Sequence, residues 1–272
     1  MRNPTYPEYL EGTSKVLEES QKEGAHYIGF KGKKLVVRPN VFSPKYFHDS
    51  RFFANNIPII AGQSFLEIGP GCGIASINAA LNGASRVLAI DSNPNAVNNT
   101  EENAKRYGVE NIVESAFGNL FNVWMRNPSV HRELQKSTKI KYNEFDRTGS
   151  PAEVNEQFDS IFWNVPFGYV PSDRNLTRLE EAVFDKEYKN IKKFIKLAPE
   201  HLNQNGLIHM GFSNTLGMPE ILQRTLSNNG FNYEIIARTK SKEVHPVTFE
   251  LYEARFKVYS ASSSSLTPLI VT

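Results

Sequence analysis

From about residue 63 onward, short apolar runs bounded by glycine, proline or asparagine alternate with segments of helical spacing. Ser64-Phe-Leu-Glu-Ile, Arg86-Val-Leu-Ala-Ile-Asp, Asn111-Ile-Val-Glu-Ser, Phe158-Asp-Ser-Ile-Phe-Trp and Gly206-Leu-Ile-His-Met-Gly-Phe read as strands. Near-continuous apolar character of this kind belongs to strands covered on both faces. The intervening pattern predicts helices over Gly73 to Asn82, Pro94 to Tyr107, Leu179 to Leu202 and Met218 to Asn229. Asn93 is the expected N-cap of the second, with Pro94 at its first position. Two late strands, Tyr233 to Thr239 and Thr248 to Val258, lie close enough to pair antiparallel. The expected fold is α/β: a doubly wound, mostly parallel sheet of about seven strands with an antiparallel pair at its C-terminal end.

Ahead of this region, Thr13 to Lys22 suits a short helix, and Tyr27-Ile-Gly-Phe and Leu35-Val-Val flank a turn and read as a hairpin. Asn40 to Ile60 carries Phe42, Tyr46, Phe47, Phe52 and Phe53, too apolar for a linker. Residues 1–60 are therefore expected to form an extension packed on a main domain of residues 61–260, with a flexible tail at 261–272. Residues 122–157, with Pro128, Gly149 and Pro151, interrupt the alternation as an insertion: a lid, a binding loop or disorder.

The 272 residues carry 31 basic and 29 acidic side chains, a net charge of +2, so a dominant non-specific attraction to nucleic acid is excluded while a local basic patch is not. The single cysteine, Cys72, excludes an internal disulfide and a cysteine-based zinc site and reads as a packing residue. The histidines show no pair at ligand spacing, so no metal is assigned. No signal-like apolar region opens the chain, and no run approaches the roughly 18 apolar residues of a membrane span. The expected compartment is the cytoplasm, away from membranes. Lys189 to Lys196 reads as a solvated helix face, and Arg238, Lys240, Lys242 and His245 as solvated loop charge.

Open α/β sheets bind ligands beyond the carboxyl ends of their strands, and the informative motifs fall at such ends. Glu67-Ile-Gly-Pro-Gly-Cys-Gly-Ile joins a strand to a helix. Gly69, Gly71 and Gly73 allow a sharp turn and close approach of a ligand, and the helix start offers free N–H groups. The dinucleotide pattern needs glycine at position 74, which is Ile74, and no Gly-Lys-Ser/Thr follows for a P-loop. Glu67 is an acid at a strand end where folding asks for no charge. Asp91 ends the next strand, about 20 residues on, where a carboxylate can accept both hydroxyls of a ribose. Asn119 follows the third strand and suits either an adenine edge or an ordinary turn.

These motifs, in order and spacing, resemble class I S-adenosylmethionine-dependent methyltransferases over about residues 63–258. The resemblance implies that the glycine turn with Glu67, Gly69, Gly71 and Gly73 surrounds the methionine part of S-adenosyl-L-methionine. It also implies that Asp91 holds the ribose and that Asn119, where the family commonly has Asp, meets the adenine.

The fourth strand ends in Asn164-Val-Pro-Phe-Gly-Tyr. A planar amide or amino nitrogen is a poor nucleophile because its lone pair is delocalised. Acceptors that grip its hydrogens turn that lone pair toward a methyl donor. The Asn164 side-chain oxygen and a nearby backbone carbonyl suit that task, Pro166 restricts Val165 to extended geometry, and Phe167 offers a flat face. The segment resembles the Asn-Pro-Pro-Tyr/Phe signature of amino-group methyltransferases, with Val165 where proline is usual. That resemblance makes Asn164, Pro166 and Phe167 the catalytic candidates, Asn164 also a cofactor contact, and Phe167 with Tyr169 the acceptor wall. Among such enzymes the resemblance is greatest to protein-glutamine methyltransferases. Val41-Phe-Ser-Pro-Lys-Tyr-Phe-His-Asp-Ser is similar to their segment ahead of the first strand and implies Asp49 and Ser50 near the cofactor.

The expected activity is N-methylation of a protein or small molecule. An RNA or DNA base methyltransferase and a catalytically silent cofactor-binding module remain alternatives, and oligomeric state is left open.

Overall fold

The computed structural model describes residues 6–125, 152–241 and 246–257. The chain begins with helix α1 (Tyr6–Glu23), the hairpin β1 (His26–Phe30) and β2 (Lys33–Val37), and a short helix α2 (Asp49–Asn56). There follow β3 (Ser64–Ile68), α3 (Ile74–Leu81), β4 (Arg86–Asp91), α4 (Pro94–Tyr107), β5 (Val113–Asn119) and β6 (Asn122–Met125). After residue 151 come β7 (Ala152–Glu153), β8 (Phe158–Asn164), β9 (Gly168–Val170), β10 (Phe184–Lys186) and α5 (Lys189–Leu197). The described chain closes with β11 (Leu202–Ser213), α6 (Pro219–Asn228), β12 (Phe231–Lys240) and β13 (Thr248–Phe256).

The main sheet runs β12-β13-β11-β8-β3-β4-β5-β6-β7. Its centre, from β11 to β5, is parallel, and β12 and β13 form the expected antiparallel edge. Seven strands were expected and nine pair in the main sheet among the described residues, because β6 folds back antiparallel on β5 and β7 adds to it. These two strands occupy the ends of the insertion anticipated at 122–157, and its middle lies outside the described residues, as does the tail at 261–272. The order reverses between β3 and β8, which puts the tips of these two strands, Ile68 and Asn164, at the switch point where such sheets bind ligands.

Alternation along each strand sends neighbouring side chains to opposite faces. Leu66, Ile161 and Met210 face α5 and α6 through Ile191, Phe194, Leu222 and Leu226. Phe65, Val87 and Phe162 face α2, α3 and the hairpin through Phe53, Ile77 and Leu35. Among the described residues no helix is long and apolar enough to cross a membrane.

The long helix expected over Leu179 to Leu202 is broken into a short turn, β10, α5 and a second short turn. Glu187 and Tyr188 adopt left-handed backbone, φ +53° and +52°, which ends any continuous helix. Tyr188 is buried with its hydroxyl donating to Phe167 O and accepting from Met218 N. Asp185 then serves the start of α5 by accepting from the N–H groups of Asn190 and Ile191.

The hairpin docks through two fully buried asparagines of α4. Asn103 accepts from Val36 N at 2.9 Å and donates to Val36 O and Cys72 O, while Asn99 accepts from Arg38 N and donates to Val36 O. Burying an amide is favourable only when its hydrogen bonds are met. Here those bonds also tie the hairpin to the glycine turn at Cys72.

Candidate active site

The turn between β3 and α3 is left-handed at Gly69, Gly71 and Gly73, with φ +63°, +58° and +82°. Each angle is in the region where a side chain costs free energy. Thr100 of α4 donates to Gly71 O at 3.2 Å, and Gly69 N–H donates to Ile90 O at 2.8 Å, so the turn is held from both sides.

A cleft opens over this turn. Glu67, Gly69, Gly71, Asp91, Asn119 and Asn164 all line it, so the sheet brings these predicted residues to one place. Ser50 and Pro166 line it too. Gly73 does not: a Cβ there would meet Thr100 at 3.0 Å, so this glycine serves helix packing instead. Phe167 is buried against Phe212 and Phe249, Tyr169 meets Tyr188 edge-on at 5.2 Å, and neither lines this cleft.

Asp91 accepts from Asn93 N at 2.8 Å and from Gly71 N at 3.2 Å. Burial pushes its carboxyl up to about 6, an effect partly offset by those two amides and by Arg178. Glu67, also buried, accepts a hydrogen bond from Ser76 of α3, which clamps the strand to the helix across the turn. Burial raises it to about 7, with Ser76 opposing and the charge of Asp91 adding to the rise. Cys72 is buried and its thiol is pushed up to about 12, in keeping with a packing role.

At the β8 tip, Asn164 Nδ2 donates to Asp49 Oδ2 at 2.9 Å. An ionised carboxylate only accepts, which assigns the nitrogen of Asn164 to that side and turns Oδ1 the other way. Asn164 Oδ1 and Asp49 Oδ1 are both buried and receive no hydrogen bond from any described residue. Asp49 begins α2, whose Ala54 carbonyl accepts from Asn78 of α3, so the aromatic N-terminal segment is what carries this acid to the site. Burial raises the Asp49 carboxyl above its ordinary value, partly offset by Asn164.

Residues that sequence reasoning missed close the cleft from above. Phe42, stacked on Phe47 at 4.4 Å, lines it with Arg178, Leu179 and Ala182. Arg178 donates to Ser92 O at 2.6 Å. The helix expected from Leu179 onward gave no sign of a cleft-lining role for Leu179 and Ala182.

An adenosyl group with a charged amino-acid tail fits this donor set. The turn leaves space over Gly71, where a Cβ would meet nothing closer than Phe42 O at 3.8 Å, and Asp91 and Asn119 follow along the strand tips.

Comparison with known proteins agrees with the geometry. The family model described as ribosomal protein L11 methyltransferase (PrmA) matches residues 56–126, the stretch holding the glycine turn and Asp91. A Methanocaldococcus jannaschii protein, provisionally named a protein N5-glutamine methyltransferase, is 29% identical over 217 residues, 78% of this chain and 92% of that protein. The human electron transfer flavoprotein beta subunit lysine methyltransferase is 45% identical over 45 residues, 16% of this chain and 17% of its own. In three dimensions, the Methanocaldococcus jannaschii tRNA m1G37 methyltransferase aligns with a TM-score of 0.50 and 16% identity. That alignment covers 86% of this chain and 57% of the other, and shows a shared fold. By sequence and fold the chain is similar to class I S-adenosylmethionine-dependent methyltransferases. The relatives it matches include methyltransferases named for protein acceptors.

Proposed function

We propose that this enzyme transfers the methyl group of S-adenosylmethionine to a planar amide or amino nitrogen on a protein side chain. The observation that carries this reading is the Asn164 amide: fixed by Asp49 at 2.9 Å, it leaves a buried acceptor oxygen, without a partner among the described residues, at the donor cleft. Such an oxygen calls for a donor N–H from a ligand. The names of the relatives with glutamine and lysine acceptors support a protein acceptor.

In this reading the glycine turn holds the methionine part of the donor, Asp91 accepts from the ribose hydroxyls and Asn119 meets the adenine edge. The bound donor supplies an electrophilic methyl on a positively charged sulfur. Asn164 Oδ1 accepts a hydrogen from the acceptor nitrogen and turns its lone pair toward that carbon. Pro166 restricts Val165, whose N–H is held by Gly211 O at 3.2 Å, and Phe167 anchors the turn through its contact with Phe212. Rate enhancement comes chiefly from holding the two reactants in line and in contact. The test is incubation of a cell extract with methyl-labelled donor followed by protease or nuclease. Label released to small peptides by protease is expected; label released only by nuclease contradicts the reading.

A further inference from the structure

The Asp49 carboxylate is 3% exposed; Asn164 is the side chain that donates to it, while the Ser50 amide and the charge of His48 favour its ionised form less strongly. A buried acid with no ion pair among the described residues costs folding free energy, so its position asks for a function. Its effect on Asn164 is twofold. It accepts from Nδ2, which decides which end of the amide faces the cleft. A carboxylate behind an amide N–H also polarises the amide, strengthening the carbonyl at the other end as an acceptor.

We infer that Asp49 is a positioning residue that acts through Asn164, orienting Oδ1 toward the reacting nitrogen and stabilising the positive charge that arrives there. The inference rests on the reading of Asn164 given above. During transfer, the nitrogen lone pair forms the new N–C bond. The S–C bond breaks with its electrons going to sulfur. The positive charge thus moves from sulfur to nitrogen, and the proton shed afterwards goes to water. The Asp49–Asn164 chain therefore interacts more strongly with the transition state than with the neutral acceptor, which is the condition for accelerating the chemical step.

Sinefungin tests this without the acceptor, because it carries an ammonium-bearing carbon in place of the methylated sulfur. That ammonium donates N–H where the methyl would be. The quantity to measure is the ratio of sinefungin to S-adenosylhomocysteine affinity, by calorimetry, in the wild type, Asp49→Asn, Asp49→Leu and Asn164→Ala. Asp49→Asn keeps an acceptor for Nδ2 and removes the charge, and should lower the sinefungin preference about fivefold; Asp49→Leu should lower it further, to the level of Asn164→Ala. S-adenosylhomocysteine affinity should stay within about twofold in both Asp49 variants, which also reports that they fold. A preference unchanged in both Asp49 variants but lowered in Asn164→Ala overturns this inference and leaves the role of Asn164 standing. A preference unchanged in Asn164→Ala overturns both. If Asp49→Leu does not fold, the near-isosteric Asp49→Asn decides the question alone.

Discussion

Asp91 of β4 accepts the backbone N–H of Gly71 at 3.2 Å, so the acid at one strand tip is joined directly to the glycine turn of its neighbour. With Asn93 N–H on its other oxygen, the carboxylate is held across the cleft floor before any ligand arrives. Preorganisation of this kind limits the ordering cost of binding.

The first consequence concerns cofactor affinity and pH. Burial raises the Asp91 carboxyl to about 6, and the proposed acceptance of both ribose hydroxyls needs the ionised form. S-adenosylhomocysteine affinity is expected to be flat above pH 7 and to fall as pH drops through about 6. Asp91→Ala should weaken binding at pH 8 by about tenfold or more, and Asp91→Asn should bind weakly with little pH dependence. Calorimetry between pH 5 and 8 checks both.

Stability of the free protein should respond to Glu67 in the opposite sense. Its folded value of about 7 lies above the ordinary 4.5, so the folded state binds the proton more tightly than the unfolded state. The stabilising contribution is complete below about pH 4.5 and is lost as pH rises through 7, by on the order of 3 kcal/mol. Thermal melting should show a falling midpoint from pH 5 to 8 in the wild type. Glu67→Gln should melt higher than the wild type at pH 8, with a flatter profile.

Gly71 and Gly73 have similar backbone angles but different surroundings, and alanine should separate them. Gly73→Ala sets a methyl 3.0 Å from Thr100 Cγ2 and should cost about 1–3 kcal/mol of stability. Gly71→Ala meets nothing closer than 3.8 Å and should cost about 1 kcal/mol through backbone strain. Chemical denaturation measures both.

Asn103 joins the hairpin to the glycine turn, so Asn103→Leu should destabilise by about 2–4 kcal/mol by removing the partner of Val36 N–H and Cys72 O and one of the two amides that donate to Val36 O. Hydrogen exchange at the Val36 amide should quicken in this variant, with weakened donor binding.

The legible parts of the site were those whose signal is local. A strand ending in Gly69, Gly71 and Gly73 and opening a helix is a contiguous pattern, and Asp91 and Asn164 each end an apolar run, so the alternation of strand and helix puts them at one sheet edge. What sequence could not show depends on distant contacts. Nothing local marks Asn99 and Asn103 as the residues that β2 lies across. The break at Glu187 and Tyr188 has no glycine or proline to announce it, since it is Tyr188, buried between Phe167 and Met218, that holds the turn. Leu179, expected to open the long helix, instead lines the cleft beside Arg178. Asp49 carried a hint through the segment around it, but its hydrogen bond to Asn164 spans 115 residues and exists only in the fold.

The central claim is that Asn164 grips the acceptor nitrogen and not the donor. It is tested most directly in Asn164→Ala, by measuring S-adenosylhomocysteine affinity alongside the rate of labelled methyl transfer to the protein fraction of an extract. The account predicts affinity within a few-fold of wild type and turnover reduced by about 100-fold or more. Turnover retained, or affinity and turnover lost together, would contradict it.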